Sequence, residues 1–260
     1  MPKVKLLIIK KCCLLLILFT ALSCTSHQTL FQKPLNFIGK VDTNFTIASD
    51  SSFVIFAHHN RYKKKRANAD LFIAYRQTDS IWSIPQKLSI SSEEADDTSP
   101  NISPDGKRLY FSSNRTGSYG GYDIWVARID SNGNTYSVRN LGSKINTRQD
   151  EKFPFVSPQG KLYFSSNNRS SLGKLDIFEA TRRNGKIKIK NLGETYNSDA
   201  NEFGITYLTD TSGYYYTDRK GKIEIRSFVN KRPLFRYFLA IDVYPLTKQG
   251  LAFVFALISN

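Results

Sequence analysis

Short apolar runs separated by turn residues set the rhythm of this chain. Leu109-Tyr-Phe111 and Ile124-Trp-Val126 are two such runs. They predict strands whose two faces are both covered by neighbouring sheets. Asp105-Gly106 between runs is a hairpin signal, and Gly120-Gly121 and Asn132-Gly133 mark the next turns. Four strands are expected near 98–102, 107–113, 121–128 and 136–141.

The same unit recurs. Ser103-Pro-Asp-Gly-Lys-Arg-Leu-Tyr-Phe-Ser-Ser-Asn-Arg115 is followed by Gly120-Gly-Tyr-Asp-Ile-Trp125, and Ser157-Pro-Gln-Gly-Lys-Leu-Tyr-Phe-Ser-Ser-Asn-Asn-Arg169 by Leu175-Asp-Ile-Phe178. Weaker copies are Asp50–Arg61 with Ala69–Phe72, and Asp210–Arg219 with Ile223–Ile225. Arg61, Arg115, Arg169 and Arg219 are 54, 54 and 50 residues apart. Asp70, Asp123, Asp176 and Glu224 are 53, 53 and 48 apart. Two markers keeping one period define a repeat of about 50 residues with four antiparallel strands, which is the size of a propeller blade. A single blade leaves both faces bare, so the blades must stack around an axis. The predicted fold is an all-β propeller of about four four-stranded blades.

Ser-Pro-Asp-Gly-x-x-Leu-Tyr-Phe-Ser-Ser-Asn-Arg with Gly-Gly-Tyr-Asp-Ile-Trp resembles the WD40-like repeat called PD40, found in the TolB propeller of the Tol–Pal system. The linkers Asn140-Leu-Gly-Ser-Lys-Ile-Asn-Thr147 and Asn191-Leu-Gly-Glu-Thr-Tyr-Asn-Ser198 are similar to those of envelope lipoproteins that join PD40 repeats to a carboxypeptidase-regulatory-like β-domain and an OmpA-like domain. Some of that subgroup serve type IX secretion. The resemblance covers residues 35–230. It implies a protein–protein interaction scaffold whose partners are other envelope proteins.

The fourth unit is one strand short. Phe37-Ile-Gly-Lys-Val-Asp-Thr43 lines up with Asn140–Thr147 with one residue deleted, so residues 35–41 are expected to add the outer strand to the last blade. That pairing would remove an exposed sheet edge. Residues 231–260 leave the repeat. Tyr237–Tyr244 and Leu251–Ile258 flank Pro245–Gly250 and read as a hairpin, resembling a truncated start of the second β-domain.

The N-terminus is an address. Lys3, Lys5, Lys10 and Lys11 precede the 11-residue apolar run Cys12–Leu22, and small residues lead to Cys24. This is the pattern of a secretory signal peptide over residues 1–23, and the run is too short to span a bilayer. Cys24 resembles the acylated cysteine of a lipobox, with Ala21 where that motif has leucine. The resemblance implies an outer-membrane-anchored lipoprotein facing the periplasm or the cell surface, with 24–34 as a tether. A soluble secreted protein cut near the same place is the alternative.

The 260 residues carry 37 Lys+Arg against 22 Asp+Glu, a net +15 that falls to +11 when the four leader lysines leave. Much of it sits in runs such as Arg61–Arg66 and Lys186–Lys190, which read as solvated loop tips and strand faces; on an exported chain the same charge could also meet anionic headgroups or cell-wall polymer, and it points away from nucleic acid. Every cysteine precedes residue 25, so the body carries neither an internal disulfide nor a cysteine-based zinc site. His58 and His59 are strand neighbours pointing to opposite faces, read as an exposed loop end. No metal site and no cofactor is expected.

Each repeated Arg and acid brackets the loop between second and third strands, so an Arg–carboxylate contact across the hairpin is expected, with a structural role. Acids ahead of each first strand recur at one phase: Glu93-Glu-Ala-Asp-Asp97, Asp150-Glu151 and Asp199-Ala-Asn-Glu202. Asp97, Glu151 and Glu202 are candidate rim acids for a cation or a basic partner, with solvated loop acids as the plainer reading. Tyr119, Tyr122 and Trp125 are candidate contact aromatics, Trp125 being more readily a core residue. Neither Gly-x-Ser-x-Gly nor a sialidase Asp-box is present, so catalysis is not expected. The alternative function is a carbohydrate-binding or glycan-hydrolysing propeller, which would show a paired Asp/Glu cluster with an aromatic platform in its channel.

Overall fold

A computed structural model describes residues 41–59, 69–79, 81–168 and 170–229. The first sheet contains β1 (Val41–Ile47), β2 (Phe53–His59), β3 (Ala69–Tyr75) and the two-residue β4 (Gln86–Lys87). The second contains β5 (Asp97–Ile102), β6 (Arg108–Ser113), β7 (Asp123–Ile129) and β8 (Thr135–Asn140). β9 (Glu151–Val156), β10 (Leu162–Ser166), β11 (Asp176–Arg183) and β12 (Lys186–Asn191) form the third; β13 (Glu202–Tyr207), β14 (Ser212–Thr217) and β15 (Glu224–Val229) form the fourth. Each is an antiparallel meander in chain order, and the fourth has three strands among the described residues. The four sheets form a four-bladed β-propeller. The first strands β1, β5, β9 and β13 are the innermost and together line one central cavity.

The core lies between the blades. Phe111, Leu109 and Trp125 of the second blade join Ile55, Leu71 and Ile73 of the first. Phe164 and Phe178 of the third pack with Ile124 and Ile145. The fourth packs through Ile205, Tyr207 and Tyr215 onto Tyr163 and Ile177. Phe111, Phe164, Leu109, Ile124 and Ile177 are buried to 1% exposure or less, as expected for strands covered on both faces.

Trp125 is therefore a core residue, 9% exposed, whereas Tyr119 is 52% exposed. His58 corrects the reading of an exposed loop end. It is 8% exposed and meets the Phe72 ring edge-on with centroids 5.1 Å apart. Val41 corrects the predicted closing strand, because it pairs with His59 inside the first blade. The remainder of that strand, residues 35–40, lies outside the described residues. So do the leader, Cys24, the tether, Arg61, Arg169 and the 231–260 hairpin.

Every innermost strand carries a β-bulge at its third or fourth residue. Asn44, Ser99 and Phe153 sit there with φ of 46°, 53° and 55°, and Gly204 with φ of 127°. A left-handed phenylalanine is an uncommon backbone state, and three non-glycine residues hold it at equivalent positions. Pro100 and Pro154 follow the bulged residues. Proline inside a strand is the sequence sign of such a bulge.

Candidate functional site

Two features recur in the ring: a buried polar row where the long loops gather, and the central cavity. The row begins with the acid that opens each innermost strand. Asp97, Glu151 and Glu202 are all 0% exposed, which corrects the reading of them as solvated rim acids. Across the sheet they face Ser113, Ser166 and Thr217, and Asp42 stands at the same register opposite His58.

Arg115 and Arg219, the two repeated arginines among the described residues, turn toward these acids and away from the third-strand markers. Arg115 Nη2 donates to Asp97 Oδ1 at 2.6 Å and to the Ile90 carbonyl at 3.0 Å, while its Nε donates to Ser113 Oγ at 3.0 Å. Arg219 Nε donates to Glu202 Oε1 at 3.1 Å, and its Nη2 donates to the Tyr196 carbonyl. The expected hairpin pairs Arg115–Asp123 and Arg219–Glu224 do not form; Glu224 instead meets Arg226 and Lys220. The guanidinium of Arg115 also covers the rings of Phe111 and Trp125, 4.9 and 5.3 Å from their centroids. A charge so enclosed is tolerable only with its partner and its hydrogen bonds in place.

Glu151 accepts from Thr147 N at 2.7 Å, Thr147 Oγ1 at 2.8 Å and Ser166 Oγ at 2.7 Å. Burial pushes its carboxyl above the ordinary value against the pull of those bonds. Burial raises Asp97 likewise, opposed by the Arg115 charge.

The third-strand markers hold the linkers. Asp123 Oδ2 accepts from Tyr119 N at 2.8 Å and from Asn140 Nδ2 at 2.6 Å. Asp176 Oδ2 accepts from Leu172 N and Asn191 Nδ2, both at 2.7 Å. The Asn-Leu-Gly motif thus caps the loop of its own blade. Asp70 instead pairs with Lys87 at 2.9 Å. Tyr122 stitches blades together: its hydroxyl donates to Asp96 at 2.7 Å, and Lys152 lies 4.0 Å from its ring centroid. Among the described residues no cluster of three or more His, Cys, Asp or Glu is arranged to hold a metal.

The central cavity measures about 240 Å³. It runs from the bulges toward the turns that follow the innermost strands, and Phe45, Pro100, Phe153, Pro154, Phe155 and Phe203 give it an apolar wall. Its described lining includes no Asp, Glu, Lys, Arg or His. Phe153 and Phe203 meet edge to face, 6.0 Å between centroids at 85°. Beside Phe153, a Cβ on Gly204 would lie 2.9 Å from the Phe153 Cβ, so that contact admits no larger residue. A second cleft, about 340 Å³, lies between the third and fourth blades. Its Glu179 is engaged by Lys161 at 3.0 Å and by the Tyr163 hydroxyl at 2.8 Å. The bulges and the cavity they shape were missed in the sequence, although Pro100 and Pro154 were visible signals.

No family model and no curated protein sequence matches the chain. Among solved structures, it is similar to prolyl oligopeptidase B from Galerina marginata, with 14% identity and a TM-score of 0.45 over 74% of this chain and 26% of that one. A puromycin-hydrolyzing peptidase of Mycobacterium tuberculosis gives 10% identity and a TM-score of 0.48 over 71% and 28%. A puromycin hydrolase gives 12% and 0.47 over 75% and 37%. The chain spans 26–37% of the length of these proteins.

Proposed function

We propose that this propeller is a non-catalytic scaffold that binds another protein in the cell envelope, using the central cavity and its mouth. The cavity wall is the observation that carries this reading. Half-buried Phe45, Phe153, Phe155 and Phe203 surround a space without a charged side chain among its described lining residues. Such a wall suits an apolar or aromatic anchor from a protein partner, the kind of residue that dominates interface energy. A hydrolysing channel needs a pair of carboxylates placed to act on a glycosidic bond; this lining supplies none, and Asp97, Glu151 and Glu202 are spent on internal hydrogen bonds.

The envelope setting rests on the resemblance to PD40 lipoproteins and on the Cys24 lipobox pattern. In that reading the lipid holds the ring on the membrane, since each buried CH₂ adds about 0.8 kcal/mol. Crosslinking in intact cells followed by mass spectrometry tests the function. The parent chain should recover a discrete protein neighbour that the Phe203→Asp variant loses while remaining folded. Recovery of lipid or glycan alone, or an unchanged neighbour in that variant, would contradict it.

A further inference from the structure

Equivalent positions of the repeat build the seams between successive blades, and one seam departs from the others. Ile55, Ile73, Ile90 and Ile102 belong to one apolar cluster between the first and second blades. Tyr110, Val126, Ile145 and Val156 hold the same repeat positions between the second and third. Between the third and fourth these positions are Tyr163, Glu179, Tyr196 and Tyr207. Three phenols and a carboxylate thus stand where the first seam is wholly aliphatic. Burying polar groups costs free energy that isoleucine does not, and such departures mark functional places in a fold.

All four residues line the cleft of about 340 Å³ at this seam. Its floor is a hydrogen-bonding surface. Glu179 Oε2 accepts from Lys161 Nζ at 3.0 Å and from the Tyr163 hydroxyl at 2.8 Å. No described residue donates to its Oε1. Across the seam Gln159 Nε2 donates to Asp210 Oδ1, and both residues line the same cleft.

A row of cations leads away from this floor. Tyr163 is opposite Glu179, and Glu179 is opposite Lys190. Directly opposed residues share a sheet face, and the next pairs on that face are Thr181–Lys188 and Arg183–Lys186. Lys186, Lys188 and Lys190 therefore stand in line, about 7 Å apart along the strand. They and Arg183 are exposed, and none makes an ion pair with a described residue. Asn184 and Gly185, with φ of 50° and 74°, make the tight hairpin turn that fixes this register. The outer strand of the second blade, Thr135-Tyr-Ser-Val-Arg-Asn140, carries no lysine.

We propose that this cleft and its lysine row bind an acidic oligosaccharide, with sugar hydroxyls on Glu179 and Tyr196 and with carboxylate or phosphate groups on Lys186, Lys188 and Lys190. The site is separate from the central cavity. A recessed floor of donors and acceptors suits a hydroxyl-rich ligand, and a line of charges suits an extended polyanion better than a single ion. Lysines that only kept the edge strand from pairing would need no such floor.

Calorimetric titration of the full chain tests the proposal. Oligogalacturonate and a phosphorylated malto-oligosaccharide are the acidic probes, and plain malto-oligosaccharide is the neutral one. At least one acidic probe should bind about tenfold or more tighter than the neutral probe, and its binding should weaken as salt rises. Lys188→Glu, a change on the exposed face, should weaken it about tenfold or more. Lys144→Glu makes the same charge change on another linker and should stay within about twofold of the parent. Tyr196→Ile, which restores the isoleucine of the preceding seam, should weaken binding about tenfold or more. Phe203→Asp, in the central cavity, should bind like the parent. Failure of both acidic probes to bind, or unchanged binding in Lys188→Glu, would overturn the proposal. Full binding in Tyr196→Ile would overturn it by leaving a bare charged face without the cleft. Tighter binding of polyglutamate than of either acidic sugar would overturn it in favour of an acidic peptide. Should Tyr196→Ile fail to fold, Tyr196→Phe, which removes only the hydroxyl, takes its place with the same two outcomes.

Discussion

The second and fourth blades solve one problem with opposite side chains. In the second, Leu109 on the second strand faces Ala127 on the third, and the third blade repeats this with Leu162 and Ala180. In the fourth, Gly213 faces Phe228. A Cβ on Gly213 would lie 2.8 Å from the Phe228 ring and 2.0 Å from the Thr206 carbonyl, so the ring fills the space that leucine fills elsewhere. The polar row is not exchanged in this way. Asp97–Ser113–Arg115 and Glu202–Thr217–Arg219 keep the same roles in both blades. Apolar volume can move between strands because packing has no direction. A buried carboxylate needs donors at fixed angles, so its partners recur in place.

That contrast can be broken at its strongest point first. Arg115→Ala and Arg219→Ala each leave a fully buried acid without its cation and should cost about 3–5 kcal/mol in denaturant unfolding. A cost below ~1 kcal/mol in either would show that the row is decoration. Phe228→Ala should cost about 3–4 kcal/mol, because half-buried as it is, the ring closes the fourth blade. Gly213→Ala, a single methyl, should cost about 1–3 kcal/mol through overpacking.

The pH dependence sharpens the polar half of the comparison. Burial raises the folded carboxyl of Glu151, so the proton favours the fold. Its contribution is complete below the ordinary carboxylate value and is lost as pH rises through the raised folded value. Glu151→Gln removes that titration but places an amide before the Thr147 and Ser166 donors, at about 1–3 kcal/mol. The variant's deficit should therefore be largest in acid and shrink toward pH 8, as read from melting temperatures. The opposite trend would mean that the carboxylate is stabilised in the fold. At the small end, Tyr136→Ser on exposed β8 should stay within about 0.5 kcal/mol of the parent.

Much of the ring was legible because its markers are turn and strand chemistry at a fixed period. The strands expected near 98–102 and 107–113 are β5 and β6, and the four-blade reading holds. The partner of each arginine was not legible. Arg115 is eight residues from Asp123 and 18 from Asp97, and only the closing of the first strand against the second brings Asp97 near. The burial of Asp97, Glu151 and Glu202 was hidden for a related reason: in sequence they sit in acidic, turn-rich linkers, yet each begins a strand. The bulged residues look ordinary as letters, and only Pro100 and Pro154 hint at them. The inverted Gly213–Phe228 pair needs the register before it can be seen.

The central claim is that the apolar cavity between four equivalent blades is where a protein partner anchors. A photo-crosslinking amino acid placed at Phe203, compared with the same probe at Tyr136, tests it most directly in intact cells. The account predicts a discrete protein adduct from position 203 and none from 136. Equal adducts at both positions, or none at 203 in a folded ring, would contradict it.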